Sequence, residues 1–285
     1  MFPVSFSNDK TFVYPVAQFD VLLGEAKNQS FGNYEFASYT STEKPSLMKL
    51  LKSVAESPEL RNCNWIFTAG YFNIDPEISQ LLIESAPTAE NAKTSAPSTE
   101  EVKSTPTCTV ITASPWANGF YGSAGISGML PAAYTLLSRR FLRNVANTGR
   151  ESSIQLKEWR RGIVGKPGGW TYHAKGLWVT LPPVPSQPLS REGAEGENSG
   201  STVDPSITLI GSSNYTKRSY SLDLEIGALV VTGDKELQRK FKEETEWLQR
   251  DAVVVTEDDL MKVDRRVGLK VRIAMWLVEK LGGAL

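Results

Sequence analysis

A short segment of the sequence, residues 172–176, contains side-chain types that can handle phosphate. It places His173 and Lys175 inside residues 170–181, a run whose pattern is typical of a β-strand. Because side chains two residues apart on a strand share a face, we expect His173 and Lys175 to point the same way. A histidine can attack phosphorus or transfer a proton, and a lysine can neutralise phosphate oxygens. The pair therefore predicts phosphoryl-transfer chemistry.

Two further pairs of polar residues repeat this spacing at the ends of neighbouring predicted strands. Ser212 and Asn214 follow one strand, and Asp223 and Glu225 begin the next. Glu225 is expected to accept a hydrogen bond from the second ring nitrogen of the histidine, which would fix its tautomer and raise its basicity. Asp223 fits an ordinary strand-end carboxylate equally well. The candidate catalytic residues are His173, Lys175, Asn214 and Glu225, the candidate substrate-binding residues are Gly211, Ser212 and Asp223, and neither a metal nor a cofactor is required.

The combined spacing is more specific than any of its parts. A lone histidine beside a lysine is more often a surface residue, but here His-x-Lys is followed by Gly-Ser-x-Asn and by a glutamate eleven residues after the asparagine. This order resembles the signature of the phospholipase D superfamily, with Arg218 and Ser219 in the usual spacer. Thr180 stands where the general motif carries an aspartate after the lysine.

A narrower resemblance covers most of the chain outside two biased segments. Its motifs lie in residues 68–73, 112–128, 130–134 and 170–178 and, less clearly, in residues 13–18. They resemble the phosphatidylglycerophosphate synthases, which tend to lack the motif aspartate in their second motif. The glycines of residues 112–128 could also present backbone amides to a phosphate ahead of a helix, although such a stretch alone is weak evidence.

This resemblance implies a reaction and a separate role for each of two catalytic histidines. The family transfers a phosphatidyl group from CDP-diacylglycerol to glycerol 3-phosphate, through a phosphohistidine-type intermediate on one of two histidines. His173 would be the acid/base partner. Because it is the sole histidine of the chain, the second motif must come from a homodimer or from a separate N-terminal catalytic half. The resemblance also implies a mitochondrial location and makes this chain the C-terminal half.

Two other classes of function stay open. One is a phosphodiesterase or nuclease of the same superfamily that completes its site by homodimerisation. The formal net charge of -1 argues mildly against nucleic acid as a substrate. The other is a noncatalytic remnant that binds phospholipid headgroups.

The cysteine content and the apolar runs of the sequence indicate the compartment of the protein and its relation to the membrane. The two cysteines, Cys63 and Cys108, are too few for a disulfide framework and favour a reducing compartment. The first residues show no targeting signal, and no apolar run approaches the roughly 20 residues that cross a bilayer. We therefore expect any membrane contact to be peripheral.

The elements that must position the candidate residues alternate between strand and helix patterns, which predicts an α/β domain with a mixed sheet flanked by helices. Residues 86–107 and 183–204 are rich in Ala, Ser, Thr, Pro, Gly and Glu and predict disordered inserts in a single domain of residues 1–285. The basic segment 263–285, with its single tryptophan, fits a terminal helix docked on the sheet better than an interfacial helix on lipid. The predicted strands are residues 63–73, 108–113, 154–159, 170–181, 206–211 and 225–232, and the predicted helices begin at residues 75–76 or span residues 131–147 and 235–250.

Overall fold

The computed structural model describes residues 4–5, 10–18, 42–60, 63–88, 108–182 and 204–281. Within these ranges the helices are α1 (Glu43–Glu56), α2 (Pro76–Ser85), α3 (Leu130–Asn147), α4 (Lys217–Ser221), α5 (Lys235–Gln249) and α6 (Leu269–Lys280). The strands are β1 (Val4–Ser5), β2 (Thr11–Gln18), β3 (Asn64–Ala69), β4 (Cys108–Ala113), β5 (Ile154–Trp159), β6 (Lys175–Thr180), β7 (Ile207–Gly211), β8 (Glu225–Thr232) and β9 (Ala252–Val254).

These strands form one mixed sheet in the order β1-β2-β8-β7-β6-β3-β4-β5-β9. β4 runs parallel to its neighbours β3 and β5, and the other neighbouring pairs are antiparallel. β6 and β7 lie side by side, with Leu177 opposite Leu209. The strand that follows His173 is therefore the direct neighbour of the strand that leads to Ser212.

Local sequence explains the central elements. β4 contains the run Thr-Val-Ile-Thr, whose β-branched side chains suit a strand, and every residue of β4 is buried, as expected for a parallel strand covered on both faces. α2 begins after Asp75, whose side chain accepts hydrogen bonds from the backbone N–H groups of Glu77 (3.0 Å) and Ile78 (3.4 Å). Pro76 occupies the first helical position, where its missing N–H is not needed.

Both faces of the sheet are covered by helices. Alternate residues of β3 and β6 point to opposite faces, so Phe67 and Leu177 pack with the apolar side chains of α1, α2 and α3. On the other face Trp178 packs with Leu248 of α5 and donates a hydrogen bond to Glu244 (3.1 Å). The sheet therefore sits between two helical layers, as expected from the α/β pattern.

The predicted α/β fold with a mixed sheet is confirmed, and the bounds of β4, β5 and β8 match the predicted ones. Two predicted strands are too long. Residues 63–73 give β3, which ends at Ala69, and residues 170–181 give β6, which begins only at Lys175. Of the two predicted inserts, residues 89–107 and 183–203 lie outside the described residues, and their disorder and the single-domain division stay predictions.

Candidate active site

His173 lies two residues before β6 rather than inside a strand, which corrects the predicted strand 170–181. Its neighbours pair with loop and strand-end backbone instead of with a continuous ladder. The Tyr172 N–H donates to the carbonyl of Ala117 (2.9 Å), and the Gly70 N–H donates to the carbonyl of Ala174 (3.1 Å). A Cβ on Gly70 would lie 2.7 Å from the Tyr172 carbonyl oxygen and 3.0 Å from the His173 Cα. Only glycine allows the end of β3 to approach the histidine backbone this closely.

Lys175 does lie beside the histidine ring. Its Nζ is 3.3 Å from Nδ1 and 3.2 Å from Nε2 of His173, and it donates to the His173 carbonyl at 3.3 Å. Burial and the Lys175 charge lower the pKa of His173, while burial lowers the pKa of Lys175 and the Glu225 carboxylate opposes that shift. The imidazole is therefore neutral near pH 7, with a lone pair that can accept a proton or attack an electrophile.

An aromatic cluster borders the histidine on another side. The ring of Tyr71 meets His173 edge-on, with 4.9 Å between centroids, and packs against Phe120 (5.4 Å) and Tyr134 (5.8 Å). Burial raises the pKa of both phenols, to about 12 for Tyr134. These hydroxyl groups stay protonated and can donate hydrogen bonds. The spacing of polar pairs did not predict this contact, although Tyr71 and Tyr134 stand in two of the segments that carry the family resemblance.

Behind the histidine a buried hydroxyl pair anchors the chain. The Tyr172 and Thr68 hydroxyl oxygens lie 2.5 Å apart, and the Thr68 hydroxyl also bonds to the carbonyl of Ile111 at 3.1 Å. The Tyr172 ring stacks on Trp159, with 5.2 Å between centroids. These contacts hold the residue before His173 in one position.

Ser212 and Glu225 form the second part of the site. The Ser212 hydroxyl donates to the Glu225 carboxylate at 2.5 Å and accepts a hydrogen bond from the Ile226 N–H at 3.1 Å. Glu225 is buried, with 6% of its surface exposed. The hydrogen bond that Glu225 was expected to accept from the second ring nitrogen of His173 is not formed; both ring nitrogens lie near the Lys175 Nζ instead. Instead, the negative charge of Glu225 favours the protonated form of Lys175, and its carboxylate accepts the hydrogen bond from the Ser212 hydroxyl.

Gly211 ends β7 directly opposite Gly227 of β8. A Cβ on Gly211 would lie 2.8 Å from the Ile226 carbonyl oxygen and 2.9 Å from the Gly227 Cα. The two strands therefore approach closely just before Ser212. This close approach explains the glycine without a substrate contact.

Asn214 sits in a turn that its neighbours fix. Tyr215 has a φ of 57°, in the left-handed region that non-glycine residues rarely adopt, and its carbonyl accepts from the Asp75 N–H at 2.7 Å. The Asn214 N–H donates to the Ser219 hydroxyl at 3.3 Å, and in the described part of the chain its side-chain Oδ1 is buried without a hydrogen-bond partner. The amide can rotate to present either its oxygen or its NH₂ group, so it has hydrogen-bonding capacity left for a ligand.

Asp223 pairs with a cation rather than with another candidate residue. It lies before β8 and accepts hydrogen bonds from the Arg218 Nε at 3.2 and 3.3 Å. The Arg218 charge in turn acts to lower the pKa of Tyr134, against the larger effect of burial. Asp223 therefore holds a cation near the aromatic cluster.

Sequence reasoning missed Glu43, a carboxyl group buried behind the Ser212–Asn214 turn. It is 1% exposed, in the first turn of α1, and its Oε1 has no hydrogen-bond partner among the described residues. Burial raises its pKa, the nearby Glu225 charge adds to that shift, and the Ser213 hydroxyl opposes it. In the sequence Glu43 is indistinguishable from an ordinary acidic residue at a helix start, which is usually solvated.

The described structure also contains a cavity of about 480 Å³ between α2 and α3. Phe72, Ile83 and Phe141 form its apolar floor, and Arg140 lies at its edge. None of the predicted site residues lines this cavity, so the candidate chemistry does not depend on it.

Comparison with known proteins identifies the family. No protein-family model matches the sequence. A CDP-diacylglycerol--glycerol-3-phosphate 3-phosphatidyltransferase of Saccharomyces cerevisiae is 40% identical over 95% of this chain and 43% of its own length. A mouse relative, named as the mitochondrial enzyme of the same activity, is 31% identical over 77% of this chain and 32% of its own length.

Among solved structures, a phosphatidylserine synthase from Haemophilus influenzae shares the fold, with a TM-score of 0.60 and 16% identity over 95% of this chain and 46% of that one. The chain spans less than half the length of the curated relatives named above. The expected α/β fold, with a mixed sheet flanked by helices, and the expected family relationship are thus confirmed. Over nearly its whole length, this sequence belongs to the family of the CDP-diacylglycerol--glycerol-3-phosphate 3-phosphatidyltransferases.

Proposed function

We propose that this chain supplies one of the two catalytic motifs of an enzyme that moves a phosphatidyl group from CDP-diacylglycerol to glycerol 3-phosphate. The products would be CMP and phosphatidylglycerophosphate, the precursor of phosphatidylglycerol and cardiolipin. The observation that carries the proposal is the histidine ring held against Lys175, on the strand beside the one that leads to the turn whose Asn214 amide has spare hydrogen-bonding capacity. The 40% identity to a relative named for this reaction supports the choice of substrates.

The proposed mechanism is a double displacement. A histidine of the second motif attacks phosphorus, the bond to the CMP oxygen breaks, and CMP leaves with the electron pair. The hydroxyl oxygen of glycerol 3-phosphate then attacks phosphorus, and the phosphorus–nitrogen bond breaks. His173 takes the proton of that hydroxyl on the free nitrogen of its neutral ring.

The other groups would stabilise charge on the transferring phosphate. Lys175 and the Asn214 amide would face the phosphoryl oxygens, and the Ser212 hydroxyl would add a hydrogen bond beside Gly211. Glu225 would hold Ser212 and keep Lys175 protonated. Bound phosphate anions would also favour the charged form of His173, which could then protonate the leaving group.

The second motif would come from an N-terminal half or from a second copy of the chain. The first source is favoured because the relatives are more than twice as long as the segment that they share with this chain. The chain would then be the C-terminal half of a longer enzyme. A mitochondrial location is proposed by analogy with the mouse relative, and peripheral membrane contact is proposed because the donor substrate is a lipid.

The test is CMP release from CDP-diacylglycerol in detergent micelles, with and without glycerol 3-phosphate. The purified chain is compared with its His173→Ala variant, and circular dichroism checks that both are folded. Acceptor-dependent release that falls by about 10²–10⁴-fold in the variant would support the transferase.

Two other outcomes have defined meanings. Release that does not depend on the acceptor would indicate a phosphodiesterase. A folded chain with no release is then assayed with residues N-terminal to the shared segment of a relative supplied in trans. Continued inactivity there would contradict the proposal and favour a noncatalytic phospholipid-binding remnant.

A further inference from the structure

The terminal helix α6 has two apolar faces, of which one docks it on the protein. Its residues at spacings of three and four face α3, and Met275 among them is only 3% exposed. Glu279 adds an ion pair to Arg140 of α3. The docked face consists of Val271, Ala274, Met275 and Val278. The helix therefore packs mainly on α3, one of the helices that cover the sheet, whereas the sequence predicted a helix docked on the sheet itself.

The opposite face is apolar and exposed. Leu269 is 69% exposed, Ile273 49%, Trp276 55% and Leu277 45%. At about 100° per residue these four side chains cover an arc of roughly 100° that is centred opposite the docked face. We call them the outer stripe. A contiguous exposed apolar stripe of this kind indicates a surface that binds a membrane or another protein.

Cations border the outer stripe. On the helical wheel Arg272 lies at one edge of the stripe, Lys270 at the other, and Lys280 at its C-terminal end. All three are exposed, and none forms an ion pair with any residue that the structure describes. The other charged residue of α6, Glu279, is turned back to Arg140. The outer surface of α6 thus combines apolar side chains with unpaired positive charge.

We propose that the outer stripe of α6 binds the surface of an anionic phospholipid bilayer, with the helix lying in the plane of the membrane. The apolar side chains would enter the boundary between headgroups and acyl chains, where tryptophan is favoured. Lys270, Arg272 and Lys280 would meet the lipid phosphates. None of the helices in the described ranges is long and apolar enough to cross a membrane.

The positive charges around the outer stripe favour a lipid surface over a protein as its binding partner. A protein partner would have to present acidic groups at fixed positions opposite Lys270, Arg272 and Lys280. Anionic headgroups supply negative charge along the whole length of a helix without a fixed geometry. Three unpaired cations around an apolar stripe therefore fit a lipid surface better than a folded partner.

The test is flotation of the purified chain with vesicles of phosphatidylcholine alone or of phosphatidylcholine mixed with phosphatidylglycerol. We expect binding to the anionic vesicles that weakens with added salt. The double variant Trp276→Ser, Leu277→Ser should bind at least about tenfold more weakly. Trp247→Ser is the matched control, because Trp247 on α5 is 56% exposed and lies outside α6.

The charge contribution is tested by Lys270→Gln with Arg272→Gln, which should weaken binding about fivefold for each cation. Lys49→Gln with Lys52→Gln on α1 removes two exposed lysines elsewhere and should leave binding unchanged. As a second measurement, an environment-sensitive dye at Ile273→Cys should shift to the blue on vesicles, and a dye at Trp247→Cys should not. Selective labelling is feasible because Cys63 and Cys108 are buried.

The inference would be overturned by the absence of binding to anionic vesicles, by equal binding of the stripe variant and the Trp247 control, or by loss of self-association instead of vesicle binding in the stripe variant. Vesicle binding needs no turnover, so His173→Ala should bind like the unmodified chain. If His173→Ala lost binding, the candidate active site and not α6 would be the lipid contact. CMP release without vesicle binding would refute the inference and leave the proposed function intact.

Discussion

The close approach of Gly70 to the histidine backbone predicts what a single methyl group does to the site. In Gly70→Ala the new Cβ would lie 2.7 Å from the Tyr172 carbonyl oxygen. Ordinary contact begins at 3.4 Å, so the two backbones must separate by about 0.7 Å. Neither atom belongs to a flexible side chain that could rotate away. Overpacking of this kind costs about 1–3 kcal/mol and would lower the melting temperature by roughly 2–12 °C.

Displacement of His173 can be measured separately from stability. The chain has one histidine, so its ring protons give a single assignable set of NMR signals. Because the Tyr71 ring meets His173 edge-on at 4.9 Å, a shift of the backbone should change the chemical shift of these signals. If the proposed function holds, a misplacement approaching 1 Å should also lower CMP release, by up to about 10²-fold.

Gly233→Ala is the matched control for this substitution. A Cβ at Gly233 would lie 3.8 Å from the nearest heavy atom, the Lys10 carbonyl oxygen, which is an ordinary contact. We expect little change in melting temperature and none in the histidine signals. Two results would refute the reasoning: a Gly70→Ala protein that melts normally with unchanged histidine signals, or a Gly233→Ala protein that is equally destabilised.

The same structure makes three further predictions. NMR titration should give His173 a pKa below 6.5, and Lys175→Gln should raise it only in part, because burial is the larger cause; an unchanged or lower pKa in the variant would contradict the contact. The raised pKa of Glu43 means that the folded state holds its proton more tightly, so its stabilising contribution is present below pH 4.5 and is lost as pH rises through the folded-state pKa. Glu43→Gln should therefore gain stability relative to the unmodified chain as pH rises, and parallel urea-denaturation profiles would refute the shift. Tyr172→Phe should cost about 1 kcal/mol in urea unfolding, because it removes the hydroxyl contact but leaves the Thr68 bond to the Ile111 carbonyl; a loss above about 3 kcal/mol would mean that the ring has also moved.

The sequence predicted those parts of the fold that local pattern determines. The strands at 108–113, 154–159 and 225–232 have the predicted bounds, because β-branched and apolar residues alternate there or run together between clear turn residues. The start of α2 follows from Asp75 and Pro76, which form a local cap.

The predicted strand around His173 was too long for a reason that lies outside its own residues. Tyr172 and Ala174 bond to Ala117 and Gly70, so this stretch pairs with loop backbone and with the end of β3. A pattern of side chains cannot indicate that the hydrogen-bond partners of a strand have ended. The strand assignment therefore failed at the site, where tertiary contacts override local preference.

The site itself was only partly predictable. The two-residue spacing correctly predicted that Lys175 lies beside the histidine, because residues so close in sequence can meet without a long-range contact. Tyr71 and Glu43 lie about 100 and 130 positions earlier in the sequence, and only the folded sheet brings them to the same place. The hydrogen-bond partner of Glu225 could not be predicted from the spacing of residues along the sequence either, because it depends on which side chains the folded structure brings next to the carboxylate.

The adjacency of β6 and β7 has a practical consequence. His173 and Lys175 precede or begin one strand, and Ser212 follows its direct neighbour, so the ladder between Leu177 and Leu209 fixes their relative positions. A slip of β6 against β7 by one residue would therefore move His173 and Lys175 relative to Ser212 even if every side chain of the site were kept, so the pairing register is itself part of the reactive arrangement.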